Sequence, residues 1–475
     1  MSQANNYDVC VVGSGPGGYV CAIKCAQLGL KTVIVEKEKM GGVCLNVGCI
    51  PSKAMISAAQ FLHRAQHDAS DMGIEIQGDI VVNLPKLKKW KDSVCDRMSM
   101  GVNQLLKGNK VDIIIGEADF FSEQEVEVKS SKGKEKIKAK NIVIATGSRP
   151  IEIPGFKIDE KSVLSSTGAL DLEQLPKKMI TIGGGYIGLE ISTYLCKLGV
   201  EVEVLEAGPA MLSGVVDKDC VKVIERKLKK LGVKVHLNAF AKSVSKKGKS
   251  TEVVAEIKGK KETLIADKVL LTVGRKANSD QMNFKKAKVN IDSNGFIAID
   301  KQCRTSNNKI FAIGDIAGQP MLAHKASHEG VLVAEVIHGA NRVYDVKGVP
   351  AVIFTDPEIA SMGMTEEECK QAGYEKLKVG KFPFAANGKA VSLMETDGFI
   401  KIIADHKTNV ILGVHIVGPE ASNLISEAAL AVEMGATLED LALTIHPHPT
   451  LGEAMMEAAE ATLGHAIHMI NRPIR

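Results

Sequence analysis

Two cysteines stand five residues apart in the run Gly41-Gly42-Val43-Cys44-Leu45-Asn46-Val47-Gly48-Cys49-Ile50-Pro51-Ser52-Lys53. On a regular α-helix, Cα atoms at i and i+5 lie about 8.7 Å apart. A disulfide needs a separation below about 7 Å. A bridge therefore demands a broken or distorted helix, which Gly41, Gly42 and Gly48 make cheap. Pro51 and Ser52 suit the first turn of a helix, so Cys49 falls at or near its positive end. A thiol there has its pKa lowered to roughly 3.5–7.5. The pair reads as redox-active; the alternative is two free thiols in a loop.

A second constellation is His446-Pro447-His448-Pro449-Thr450-Leu451-Gly452-Glu453. The prolines hold His448 extended, and a helix follows with Glu453 in its first turns. A carboxylate bonded to one imidazole nitrogen fixes the tautomer and leaves the other nitrogen as a base. On the residues alone His446 could serve as well as His448, and either could be structural. His324 and His328 have the i, i+4 spacing of a zinc helix, but no Glu follows His324 in the metalloprotease arrangement. There is no Cys-x-x-Cys and no phosphate loop of the Gly-x-x-x-x-Gly-Lys-Ser/Thr type, so no metal is predicted. The other eight cysteines read as inert packing residues, Cys21 and Cys25 among them on one helix.

An internal repeat supplies the elements that must position this chemistry. Residues 9–36 and 179–206 share a plan at an offset of 170 residues. Each has an apolar run, then Gly-x-Gly-x-x-Gly (Gly13, Gly15, Gly18; Gly183, Gly185, Gly188), a helix-like stretch ending in Leu-Gly, and a β-branched run closed by Glu36 or Glu206. The first glycine permits a tight turn, the second lets the backbone approach a pyrophosphate, and the third lets helix pack on strand. Free amides at the helix start hold phosphates, and the closing acid accepts hydrogen bonds from a ribose. The chain thus binds two dinucleotides. Glu206 repels a 2′-phosphate, and residues 207–209 supply no Arg to receive one, so NAD is expected over NADP. Two further strand-to-glycine junctions, at Thr146-Gly147 and Gly314-Asp315, could equally be ordinary strand ends.

Composition excludes other classes. Of 475 residues, 45% are hydrophobic and 24% charged, ordinary globular values. Lys plus Arg number 60 against 56 Asp plus Glu, too even for a polyanion-binding face, and one tryptophan makes no stacking platform. The basic stretch 132–140 alternates with Glu and reads as a solvated hairpin. No apolar run reaches the 18 or so residues of a membrane helix. The first residues lack a leader's character, and ten cysteines make no secreted disulfide framework. The reading is a cytoplasmic protein without nucleic-acid or membrane partners.

With these motifs in place, the chain resembles the flavoprotein disulfide reductases of the pyridine nucleotide-disulfide oxidoreductase family, in the branch that oxidises dihydrolipoamide. The likeness covers nearly the whole chain and is most specific in 41–53, Ile313-Gly314-Asp315 and 446–453. It implies an α/β fold with two Rossmann-like dinucleotide-binding domains and a C-terminal α+β dimerisation domain. The divisions would be 1–150 (FAD, with the redox disulfide), 151–278 (NAD), 279–349 (central, second part of the FAD domain) and 350–475 (interface). Thr146, Gly147, Ser148 and Asp315 become flavin contacts. Gly116 makes a backbone contact at the adenine end, and Met321, Leu322, Ala323 and His324 begin a flavin-binding helix. Lys53 pairs with Glu190 beside the flavin. Ala241 and Gly274 match contacts to the nicotinamide nucleotide. The base becomes His448, oriented by Glu453, and in a head-to-tail homodimer this pair completes the partner's disulfide site. Expected partners are the lipoyl-bearing acyltransferase core of a 2-oxo acid dehydrogenase complex or the glycine cleavage carrier protein. With Gly13 so near the start, no N-terminal lipoyl domain is expected. The rivals are a reductase of the same fold acting on glutathione or a metal ion, and a non-catalytic NADH-binding role.

Overall fold

The computed structural model describes residues 5–471. The chain divides into two compact units. The first comprises residues up to Met55, Asn83–Ile151 and Gly274–Asp345; the second comprises 56–82, Glu152–Val273 and the chain from Val346 on.

The first unit is built on a seven-stranded sheet. Its order is Asp112–Ile115, Thr32–Glu36, Asn5–Val12, Gly133–Ile144, Glu125–Ser130, Glu117–Phe120, with Ile310–Ala312 also pairing with Gly133–Ile144. The first three strands and the end of Gly133–Ile144 run parallel, and the helix Pro16–Gln27 follows the opening strand at once. That is the strand–helix–strand arrangement that puts a helix start at the carboxyl edge of a sheet. The β-branched run 32–36 is buried throughout, as a strand covered on both faces must be. Val9, Val11, Ile34, Val143 and Phe311 form the core with residues of the helix Ala323–Ile337. Each such side chain stabilises by roughly 1.5–3 kcal/mol on burial. The basic stretch is a hairpin, Glu125–Ser130 with the start of Gly133–Ile144, whose turn faces solvent.

The second unit holds the repeat's other copy. A five-stranded parallel sheet runs Lys234–Leu237, Glu201–Glu206, Lys178–Ile182, Lys268–Leu271, Val163–Leu164. Beside it in sequence is a three-stranded antiparallel sheet, Ala239–Lys247, Ser250–Ile257 and Lys260–Ala266. The C-terminal part is a five-stranded antiparallel sheet ordered Ala351–Ile353, Glu358–Gly363, Ile411–Gly418, Phe399–Asp405, Leu377–Pro383. Helices Ala421–Met434 and Glu453–Leu463 bury Ile425, Ala428, Met455 and Ala458 in one core with Ile400, Ile402, Val414 and Ile416 of that sheet.

One helical stretch passes a membrane-span test that run length alone does not bring out. The helical stretch Gly42–His67 is long enough, with mean hydropathy 1.2 and a third of its most apolar window buried, to pass as a membrane span by length and composition. Its apolar residues are interspersed with small polar ones, so no unbroken run betrays it. It is interrupted at Gly48 and carries Lys53 and Arg64.

Candidate active site

The two glycine turns match contact for contact. Gly13 and Gly183 have φ of +98° and +106°, and a Cβ there would lie 2.3 Å from the Ala145 carbonyl oxygen and 2.5 Å from that of Thr272. A Cβ on Gly18 or Gly188 would lie 1.9 or 2.2 Å from the carbonyl oxygen of Gly13 or Gly183. A Cβ on Gly15 or Gly185, the middle glycines, would meet nothing within 4 Å. Each is the N-cap of its helix, Pro16–Gln27 or Tyr186–Lys197, and neither has a side chain capping the free amides. The first and third glycines are thus required by the turn itself, and the second faces room for a phosphate.

The closing acids brace these turns. Glu36 Oε2 accepts from the Ser14 amide (2.8 Å) and hydroxyl (2.7 Å), and its Oε1 from the Glu38 amide. Glu206 Oε2 accepts from the Gly184 amide (2.7 Å) and Oε1 from the Gly208 amide (2.6 Å). Each carboxylate oxygen retains acceptor capacity for a ribose hydroxyl.

The junctions at 146 and 315 meet in the first unit. Ser148 Oγ donates to Asp315 Oδ2 at 2.5 Å, and Arg275 Nε donates to Ser148 Oγ at 2.7 Å. Asn278 Nδ2 donates to the Thr146 carbonyl at 2.8 Å, and its backbone amide to that of Gly147. Thr146 Oγ1 is buried with no hydrogen-bond partner among the described residues, a cost of roughly 1–3 kcal/mol unless something absent satisfies it. Glu329, itself paired with Lys325 at 2.8 Å in the interior, accepts from the Gly314 amide at 2.7 Å and so fixes the turn bearing Asp315. Arg275, Asn278, Ser14, Lys325 and Glu329 were not anticipated. Only Lys325 and Glu329, spaced i, i+4 on a helix, carried a signal.

The remaining expected contacts are dispersed. Leu322 is the N-cap of the helix opened by Ala323 and His324, and the Met321 amide donates to the Gln319 side chain. The Gly116 amide is taken by the Glu36 carbonyl, and a Cβ there would strike Lys129. Gly274, at φ +131°, accepts from the Ile151 amide in the first unit, while Ala241 lies at a strand irregularity in the second. Lys53 belongs to the first unit, its Nζ donating to Ser52 Oγ. Glu190 belongs to the second and accepts from the Phe354 amide at 2.9 Å.

The helix break required between the cysteines is present. Helix Gly42–Val47 carries Cys44 and ends at Gly48 (φ −136°, ψ −110°), and Cys49 opens helix Cys49–His67. Both are thiols, Cys49 exposed and Cys44 partly covered. The Cys44 thiol is pushed far up by donating a hydrogen bond to Cys49, then by burial and by negative charge on Cys49. Of the two, Cys44 is therefore the sulfur held as a thiol.

The two histidines differ sharply. His446 is nearly covered; its Nε2 bonds Glu427 at 2.8 Å and its Nδ1 the Thr444 carbonyl at 2.8 Å. Acceptors on both nitrogens favour the charged ring, and its pKa is raised chiefly by Glu427. His448 is 77% exposed and bonds Glu453 Oε1 through Nδ1 at 2.8 Å. Its Nε2 has no partner among the described residues. Glu453 Oε2 accepts from the Thr450 amide, so the carboxylate is locked while it holds the ring.

Residues 7–330 match the family model described as pyridine nucleotide-disulphide oxidoreductase, and residues 349–459 match the dimerisation domain of the same family. The chain belongs to the pyridine nucleotide-disulphide oxidoreductases. Dihydrolipoyl dehydrogenase of Bacillus subtilis (strain 168) is 48% identical over 464 residues, 98% of this chain and 98% of its own. Among solved structures, LpdA from Mycobacterium tuberculosis is similar with a TM-score of 0.88 at 25% identity, covering 96% of this chain and 99% of its own. The HOCl-induced flavoprotein disulfide reductase RclA from Escherichia coli has a TM-score of 0.85 at 27% identity over the same shares. As a pyridine nucleotide-disulphide oxidoreductase the enzyme uses FAD and NAD. The residues present fit both groups: Thr146 Oγ1 lacks a partner, and the middle glycine of each turn opens on free space.

Proposed function

We propose that this enzyme oxidises dihydrolipoamide to lipoamide with reduction of NAD, using Cys44 and Cys49 as the redox pair and His448 as the base. The observation that carries the reading is the histidine with one nitrogen held by Glu453 and the other open, in a chain whose two cysteines are already in hydrogen-bond contact.

His448 Nε2 takes the proton of one substrate thiol, and the resulting thiolate attacks Cys44 Sγ of the oxidised pair. The Cys44–Cys49 bond breaks, and Cys49 leaves as a thiolate at the start of helix Cys49–His67, where the positive end of the helix dipole stabilises it. The second substrate sulfur, deprotonated in turn, attacks the mixed disulfide. Lipoamide closes and Cys44 departs, recovering a proton and donating it in a hydrogen bond to Cys49. Bound FAD supplies the two-electron centre between this dithiol and NAD. Gly13, Gly15, Gly18 and Glu36, with Thr146, Gly147, Ser148 and Asp315, would hold FAD; Gly183, Gly185, Gly188 and Glu206 would hold NAD.

The dimerisation domain and the exposed Leu430, Met434, Leu443 and Ile445 support a homodimer. In it His448 and Glu453 of one protomer serve the cysteines of its partner. Dihydrolipoamide is then presented by the lipoyl-bearing core of a 2-oxo acid dehydrogenase complex or by the glycine cleavage carrier, in the cytoplasm. A panel of dihydrolipoamide, glutathione and thioredoxin, each with NAD and NADP, tests the reading. Turnover of dihydrolipoamide with NAD should exceed every other combination; faster turnover of glutathione or thioredoxin would overturn it.

A further inference from the structure

Lys401, on the C-terminal sheet, is fully buried. Its ammonium bonds Asp217 Oδ2 at 2.8 Å, Asp219 Oδ2 at 3.2 Å and Glu366 Oε1 at 2.5 Å. Burial alone would lower its pKa, but hydrogen bonds to Asp217 and Glu366 outweigh it and hold the cation above the ordinary lysine range. Its cross-strand neighbour His415 is kept neutral by burial and adds no charge. Lys381 and Lys222 complete the set on Asp219.

Two of these acids belong to the nucleotide half of the unit. Asp217 is the N-cap of helix Lys218–Lys230, accepting from the Asp219 amide, and it ends the loop 207–216 that leaves Glu206. That loop lies along the second glycine turn. The Gly208 amide bonds Glu206, the Gly208 carbonyl accepts from the Asn238 amide, and the Leu212 amide donates to the Gly184 carbonyl at 3.1 Å. Leu212 is held at φ +53°, a left-handed conformation that a leucine keeps only when its surroundings impose it. Gly184 imposes it from one side. From the other side the loop's end is pinned at the buried carboxylate of Asp217.

We infer that Lys401 is a positioning residue for the nicotinamide dinucleotide: by fixing Asp217 it holds loop 207–216 against Gly184 and so sets the turn and the Glu206 carboxylate that receive the adenosine ribose. This rests on the assignment of NAD to the second glycine turn. Without Lys401, Asp217 is left in the interior without a cation, beside Asp219, which keeps Lys381 and Lys222. The cap slackens, and Leu212 relaxes out of its left-handed conformation.

The test is Lys401→Met in the holoenzyme. The KM for NAD should rise roughly tenfold, within the usual range by which one site alters affinity at another, with kcat little changed. Reduction of the enzyme by dihydrolipoamide in the absence of NAD should keep its rate. Lys401→Arg should restore much of the affinity, and Ile402→Ala, on the same strand, controls for lost stability. An unchanged KM in Lys401→Met, or an equal rise in Ile402→Ala, would overturn the inference. If Lys401→Met does not fold, Glu366→Gln removes one leg of the cluster and should raise the KM by a smaller factor; no rise there also overturns it. An unmodified enzyme indifferent to NAD would refute the nucleotide assignment instead, and is told apart by the parent's own kinetics.

Discussion

Glu453 holds His448 through one carboxylate oxygen while its other oxygen is tied to the Thr450 amide, so the acid orients the ring without freedom to follow it. A positioned general base contributes roughly 10²- to 10⁴-fold, so His448→Ala should slow dihydrolipoamide oxidation on that scale. Glu453→Gln should cost less, since the ring keeps its nitrogen but loses the carboxylate's pull. NADH-driven reduction of an artificial acceptor needs no such base and should be spared in both. A loss of that second activity as large as the first would remove His448 from the proposed role.

If two protomers share the site, inactive Cys44→Ser and His448→Ala chains should complement each other. Mixed and re-formed as heterodimers, they leave one of two sites with every group intact, so activity should return toward half the parental value per dimer. Heterodimers confirmed by mass and still inactive would place histidine and cysteines in one chain.

The middle and outer glycines should separate folding from flavin binding. Gly15 has extended backbone (φ −62°, ψ 179°) open to any residue and clear space around it, so Gly15→Ala should fold within about 0.5 kcal/mol of the parent. It should nevertheless lose most of its flavin, because the methyl group occupies the approach to the phosphate. Gly18→Ala drives a methyl into the Gly13 carbonyl and should damage the turn itself. Full flavin content in purified Gly15→Ala would contradict this division.

Stability should carry a signature of His446. Its folded pKa is raised above the unfolded value of about 6.5, chiefly by Glu427. The stabilisation is therefore complete below that value and is lost as pH climbs through the folded pKa. His468, raised by Glu457, acts with the same sign, whereas His63 and His415, lowered by burial, act on the acid side of the window. The Tm gap between the parent and His446→Gln should narrow as pH rises above about 6.5. A gap that stays constant across the range would rule out a charged His446 in the fold.

What could be read in the sequence was whatever is encoded over a short span. Gly13 to Glu36 and Gly183 to Glu206 announce themselves because a turn, a helix and the next strand must follow one another directly. Cys44 and Cys49 did so because five residues cannot be bridged on an intact helix. Thr146 and Asp315 remained ambiguous because they are joined through Ser148, Arg275 and Asn278, up to 167 residues apart. His446 and His448 looked equivalent because the difference lies in Glu427, 19 residues upstream on helix Ala421–Met434. Lys401 carried no signal, since nothing in a linear chain tells a solvated lysine from one whose carboxylates arrive from elsewhere, here Asp217 and Glu366.

The interruption at Gly48 means that the enzyme cycles a covalent bond with little to move. The sulfurs are already hydrogen-bonded as thiols, so each turnover needs side-chain rotation and no refolding of the helix that Cys49 begins. Amide hydrogens of residues 49–53 should then exchange with deuterium at nearly the same rate in oxidised and reduced enzyme. Restoring helical continuity with Gly48→Ala sets a methyl 2.9 Å from the Val43 carbonyl oxygen. That variant should oxidise slowly, as a machine whose bearing has been welded.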